Sequence, residues 1–130
     1  IKMKIIIFAT LIISLISIFS KRVRNFRAKT KNGGFSRTCR NISLNGTKLQ
    51  GRCANKIGIK MWTALDLDTC IGNIEGKLQG NQGGYSKTSH YCFLQHTTLS
   101  CESRTSSGSY KTTQINLDSV VGNMDGILKC

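Results

Sequence analysis

Apolar and polar positions alternate through most of the chain, and the pattern is written twice. Ile57, Ile59, Met61 and Leu65 share one side of an extended segment while Lys60 and Trp62 take the other. A period of two predicts a half-buried β-strand. Upstream, Phe35 to Leu44 and Thr47 to Cys53 read as two further strands around Asn45-Gly46, a dipeptide that tolerates the positive φ angles of a two-residue hairpin. That register sets Cys39 against Cys53. Asp66 to Thr69 is rich in side chains that bond nearby backbone, so a single helical turn is expected there. A second hairpin then pivots on Glu75-Gly76.

The same series returns fifty residues later. Gly34-Phe35-Ser36-Arg37-Thr38 is matched by Gly84-Tyr85-Ser86-Lys87-Thr88. Asp66-Leu67-Asp68 and Gly72-Asn73-Ile74-Glu75-Gly76 are matched by Asn116-Leu117-Asp118 and Gly122-Asn123-Met124-Asp125-Gly126. A supersecondary unit repeated at such a period buries its apolar face against another copy. Two copies, residues 34–83 and 84–130, predict a closed all-β pair within one domain of residues 34–130, and residues matched between copies become the first functional candidates. Measured by its cysteines, the second copy reads as two residues shorter before Cys101 and two longer after it, in Ser106-Ser107-Gly108-Ser109. Gly80-Asn81-Gln82-Gly83-Gly84 joins the copies, either as a plain linker or as a loop that a ligand can approach closely.

Charge and cysteine usage sharpen this picture. Of nineteen Lys and Arg residues, eight precede position 32, where there is no acid. Residues 32 to 130 hold eleven Lys or Arg against six Asp or Glu, a net charge of +5. Most of the formal +13 therefore lies in the leader, which argues against nucleic acid as the partner. Ile5 to Ser20 carries no charge and follows a basic start, so residues 1–20 read as a signal peptide, or as a short uncleaved anchor. Residues 21–33 read as a basic linker or a pro-segment. Six cysteines behind such a leader predict disulfides in an oxidising compartment, with no Cys-x-x-Cys spacing for zinc. Asn41-Ile42-Ser43 and Asn45-Gly46-Thr47 are N-glycosylation sequons.

Catalytic chemistry is poorly represented. His90 and His96 stand in no Cys-His-Asn order and beside no carboxylate pair in sequence, so they read as strand and turn residues. The chain is not expected to be an enzyme or to need a cofactor or metal. Trp62, on the polar side of its strand, is expected to pack at the junction of the two halves, or else to stack on a sugar.

Phe35-Ser36-Arg37-Thr38-Cys39, the gap to Cys53, Leu65-Asp66-Leu67-Asp68 and the closing Gly-Asn-x-Asp/Glu-Gly-x-Leu hairpins resemble the cyanovirin-N homology family. The likeness covers residues 34 to 130. It implies an elongated, pseudo-twofold all-β fold in which the hairpin of each repeat joins the three-stranded part of the other. It also implies a non-enzymatic lectin that recognises terminal mannose of high-mannose glycans. Such a protein would be secreted, mainly monomeric, and in touch with membranes only through its leader or through glycans. Where some relatives have a hinge proline, this chain has Gln82. The alternative from another class is a cationic, disulfide-held host-defence or surface-interaction protein whose activity lies in Lys21 to Lys31.

Carried over by position, the resemblance implies two sugar sites. One would hold Arg37, Thr38, Asn55, Lys56, Asn123, Met124 and Asp125. The other would hold Asn73, Ile74, Glu75, Lys87, Thr88, Ser103 and Arg104. Arg37, Ala54 and Lys56 depart from the family pattern at the first site, whereas Thr88 and Arg104 are retained at the second, which is therefore expected to bind better. In the second copy Ser89 stands where the family has its first cysteine, so Cys92 is expected to pair with Cys101 instead. Under hairpin exchange Cys70 would meet Cys130 as a third bridge, the other outcome being two free thiols.

Overall fold

The computed structural model describes residues 33–130; the leader 1–20 and all but the last residue of the stretch 21–33 lie outside the described residues. Ten strands run in chain order: β1 (Cys39–Asn45), β2 (Lys48–Ala54), β3 (Lys60–Asp66), β4 (Ile71–Ile74), β5 (Lys77–Gly80), β6 (Ser89–Gln95), β7 (Thr98–Arg104), β8 (Tyr110–Asn116), β9 (Gly122–Met124) and β10 (Ile127–Lys129). They form two three-stranded antiparallel sheets, β1-β2-β3 and β6-β7-β8, and two hairpins, β4-β5 and β9-β10. The fold class read from the sequence is the observed one.

Each hairpin leaves its own repeat. Leu78 N donates to Thr113 Oγ1 of β8 at 3.1 Å, and Leu128 N donates to Thr63 Oγ1 of β3 at 3.0 Å. The single helical turns cross over too. Asp118 accepts from Ser36 N at 3.0 Å and from the Ser36 hydroxyl, and Asp68 accepts from Ser86 N at 2.9 Å and from the Ser86 hydroxyl. The exchange buries Phe35, Leu49, Leu67, Ile71 and Leu78 in one cluster with Tyr85, Leu99, Leu117, Val121 and Leu128.

Four readings of the pattern need correction. Phe35–Arg37 is a 3₁₀ turn, not strand, because Thr38 N bonds Phe35 O before β1 begins. The first hairpin turns on Gly46-Thr47, since Asn45 still pairs with Lys48. Ile57 and Ile59 lie before β3 and are exposed, because the Asn55 carboxamide accepts from Ile57 N and Ile59 N and holds that segment as a turn. Trp62 is 67% exposed, with only the Arg52 guanidinium over its ring, 5.8 Å from the centroid. It does not pack at the junction. The turns at Glu75-Gly76 and Asp125-Gly126 do pivot as expected, with positive φ at both positions.

All three disulfides are present: Cys39–Cys53, Cys92–Cys101 and Cys70–Cys130. The compensating length changes inferred from the cysteines are not. From Phe35 to Ser119 every element recurs at an offset of fifty. Ser89 pairs with Ser103 just where Cys39 pairs with Cys53, their hydroxyls 2.7 Å apart. The second copy's bridge has moved inward to positions equivalent to Ile42 and Gly51. There, in copy one, the Ile42 side chain lies where a Cβ of Gly51 would point.

Tyr85 supplies a pH test of the core. Burial first, then the charges of Asp68 and Asp66, push its phenol up to about 12. A phenol held neutral in the fold stabilises it fully below the ordinary value near 10, and that contribution is lost as pH rises through about 12. Allowing for solvent screening, roughly 1–2 kcal/mol should disappear across that window. Tyr85→Phe should flatten the alkaline limb of the stability curve, measured by denaturant melts from pH 8 to 12.

Candidate functional site

Two equivalent sites arise where a hairpin tip from one repeat meets the loop after the second strand of the other. At the first, Asn123 Nδ2 donates to Thr38 Oγ1 and to Ala54 O, both at 2.8 Å, while its Oδ1 accepts from Gly126 N at 2.8 Å. The Asp125 Oδ1 accepts from Lys56 N at 2.8 Å. Glycine is required at the tip. A Cβ on Gly126, at φ +89, would stand 3.2 Å from Met61 Sδ and 3.4 Å from Asn55 Cβ.

These contacts enclose an open cleft of about 410 Å³ walled by Thr38, Ala54, Asn55 and Lys56 on one side and Asn123, Met124 and Asp125 on the other. Six of the seven residues expected at this site are thus together. Arg37 does not line the cleft; its side chain lies over Gly34. Asn123 and Asn55 spend their amides on the protein itself, so they build the wall. The Lys56 ammonium, the second Asp125 oxygen and the Thr38 hydroxyl proton have no partner among the described residues. They can face a ligand.

The second site repeats the scaffold with other side chains. Asn73 Nδ2 donates to Thr88 Oγ1 at 2.9 Å and to Arg104 O at 2.8 Å, and its Oδ1 accepts from Gly76 N at 2.8 Å. Glu75 Oε2 accepts from Ser106 Oγ at 3.0 Å and from Ser106 N at 3.4 Å. Ile74, like Met124, is an exposed tip residue. Lys87 lies over Gly84 as Arg37 lies over Gly34. Arg104 is exposed and occupies the position of Ala54.

Ser103 cannot meet a ligand here. It is fully buried, and its hydroxyl is bonded to Ser89. The expected assignment was shifted because Cys101 was matched to Cys53. The residues equivalent to Asn55 and Lys56 are Thr105 and Ser106, both missed. The constant offset of fifty in the flanking motifs was the signal that locates them. Thr105 holds its turn through Ser107 and Ser109, as Asn55 holds the turn in copy one.

Both sites therefore present a carboxylate clamped across repeats, an oriented threonine hydroxyl and a nearby cation. Such a set offers acceptors and donors side by side, which suits a ligand whose hydroxyls do both. His90 lies 3.5 Å from Glu102, paired with it across β6 and β7.

Comparison with known proteins gives a consistent result. A family model described as the CVNH domain matches residues 35–129. Microvirin, solved in complex with mannobiose, is 33% identical, with 75% of this chain and 97% of that chain covered at a TM-score of 0.66. A CVNH protein of T. borchii is 31% identical, covering 74% and 97% at a TM-score of 0.65. A CVNH protein of Gibberella zeae is 26% identical, covering 73% and 94% at a TM-score of 0.69. A search of the curated proteins returns no match.

Proposed function

The chain belongs to the CVNH domain family, and from that premise we propose that it is a carbohydrate-binding lectin, secreted, that takes terminal mannose of high-mannose glycans into its two cross-repeat sites. The observation that carries the reading is the pairing of a hairpin-tip carboxylate with the opposite repeat's loop, at Asp125 with Lys56 and at Glu75 with Ser106. Microvirin, similar over nearly all of its own length, binds mannobiose, and the leader of residues 1–20 suits export. Sugar hydroxyls left unpaired in such a cleft are costly, so binding would discriminate by hydrogen bonding.

Titration calorimetry with α1,2-mannobiose tests it. Glu75→Ala and Arg104→Ala should each weaken binding by roughly 1–3 kcal/mol, since each strands a polar partner. Asp125→Ala should do less, because its site has Ala54 where the second site has the guanidinium donors of Arg104. Unchanged affinity in both of the first two variants would remove the second site, and no heat with any mannoside would remove the reading.

The protein should work as a monomer. Cys70–Cys130 ties the repeats together, and Gln82 N donates to Cys70 O at 3.3 Å within the joining segment. Light scattering should give the monomer mass at micromolar concentration. A stable dimer would count against it.

A further inference from the structure

The outward faces of the two three-stranded sheets have diverged at one row. In β6-β7-β8 that row reads His90, Glu102, Thr112, with the imidazole and carboxylate 3.5 Å apart. In β1-β2-β3 the same row reads Arg40, Arg52, Trp62. Two arginines are thus directly paired across a strand pair, like charges whose repulsion an anion between them would relieve. Neither is in a salt bridge among the described residues.

The row is built for a ligand in other ways. Arg40 Nη1 donates to Ser36 O at 3.1 Å and Cys39 O at 2.8 Å, which fixes one guanidinium and leaves its other N–H groups free among the described residues. Arg52 is steered by its contact with Trp62. The indole is 67% exposed, a large apolar face beside the Arg52 guanidinium. Lys60, opposite Ala54 and exposed, adds a third at the sheet's edge.

We propose that this face is a separate binding site for an acidic glycan, in which Arg40 and Arg52 grip a sulfate or carboxylate and Trp62 stacks on a sugar ring. Planar guanidinium forks match both oxyanions, and an exposed indole offers the apolar face that a ring's C–H groups need. A nucleic acid fits less well. It requires a track of cations following a backbone, whereas three cations on one row and its neighbouring edge position hold one or two charges.

The test uses the full chain and three probes: a heparin hexasaccharide, a galacturonate hexasaccharide and a single-stranded RNA hexamer. At least one acidic hexasaccharide should bind, Arg52→Glu should weaken that binding about tenfold and Trp62→Ala several-fold, while a charge-matched Lys77→Glu stays within about twofold. Arg52→Glu also places an acid opposite Arg40, as Glu102 stands opposite His90, so the variant should be no less stable than wild type. Its mannobiose affinity should be unchanged, which separates this site from the hairpin-tip sites. Equal losses in Arg52→Glu and Lys77→Glu would overturn the proposal in favour of diffuse charge. So would binding of neither hexasaccharide, or tighter Trp62-dependent binding of the RNA.

Discussion

Replacing both Cys70 and Cys130 by serine should lower stability by roughly 4 kcal/mol, the largest loss available from any of the three bridges. Loop-closure entropy grows with the length of chain enclosed. This bridge spans sixty residues, against fourteen for Cys39–Cys53 and nine for Cys92–Cys101. It also holds the last strand, β10, which contributes three residues to a hairpin lying on the other repeat. For a domain of this size the thermal midpoint should fall by about 15–30 °C. Scanning calorimetry on the double variant decides it, and a fall of less than about 5 °C would mean that the exchanged hairpin is held by packing alone.

Phe35→Ala should cost roughly 3–5 kcal/mol, the range for removing a buried aromatic ring from a packed core. Phe35 is completely buried, and its backbone N–H donates to Val121 O of the other repeat at 3.2 Å. Phe35 belongs to a core cluster drawn from both repeats, so the cavity cannot close without moving both. Urea unfolding should show a lower midpoint with an unchanged slope. A loss below about 1 kcal/mol would show that Tyr85 and the surrounding leucines relax into the space.

The architecture was legible because its signals are local and doubled. Asp125-Gly126 and Glu75-Gly76 specify tight turns by backbone chemistry, and their return at a fixed spacing gives the repeat. The exchange of hairpins between repeats was not in the pattern itself; it came from the family resemblance. Cys101 misled for a physical reason: a disulfide can sit at either of two neighbouring rows of the same ladder, so cysteine spacing is a poor ruler. That error carried Ser103 into the binding site and left out Thr105 and Ser106. Ile57 and Ile59 misled because alternation cannot distinguish a strand from a turn whose backbone is captured by one amide, Asn55. Trp62 was exposed for a reason visible only in three dimensions, since its partner Arg52 is brought beside it by the β2-β3 ladder.

Hairpin exchange also sets the order in which the molecule can acquire its parts during synthesis. The first cleft needs Asn123, Met124 and Asp125, so a growing chain on the ribosome has no first cleft until the hairpin of its second repeat is made. Only residues up to about Ser106 are needed at the second site, yet β8, on which its hairpin rests, ends at Asn116. Both sites are therefore late products of translation, each completed only after strands of the second repeat have been made.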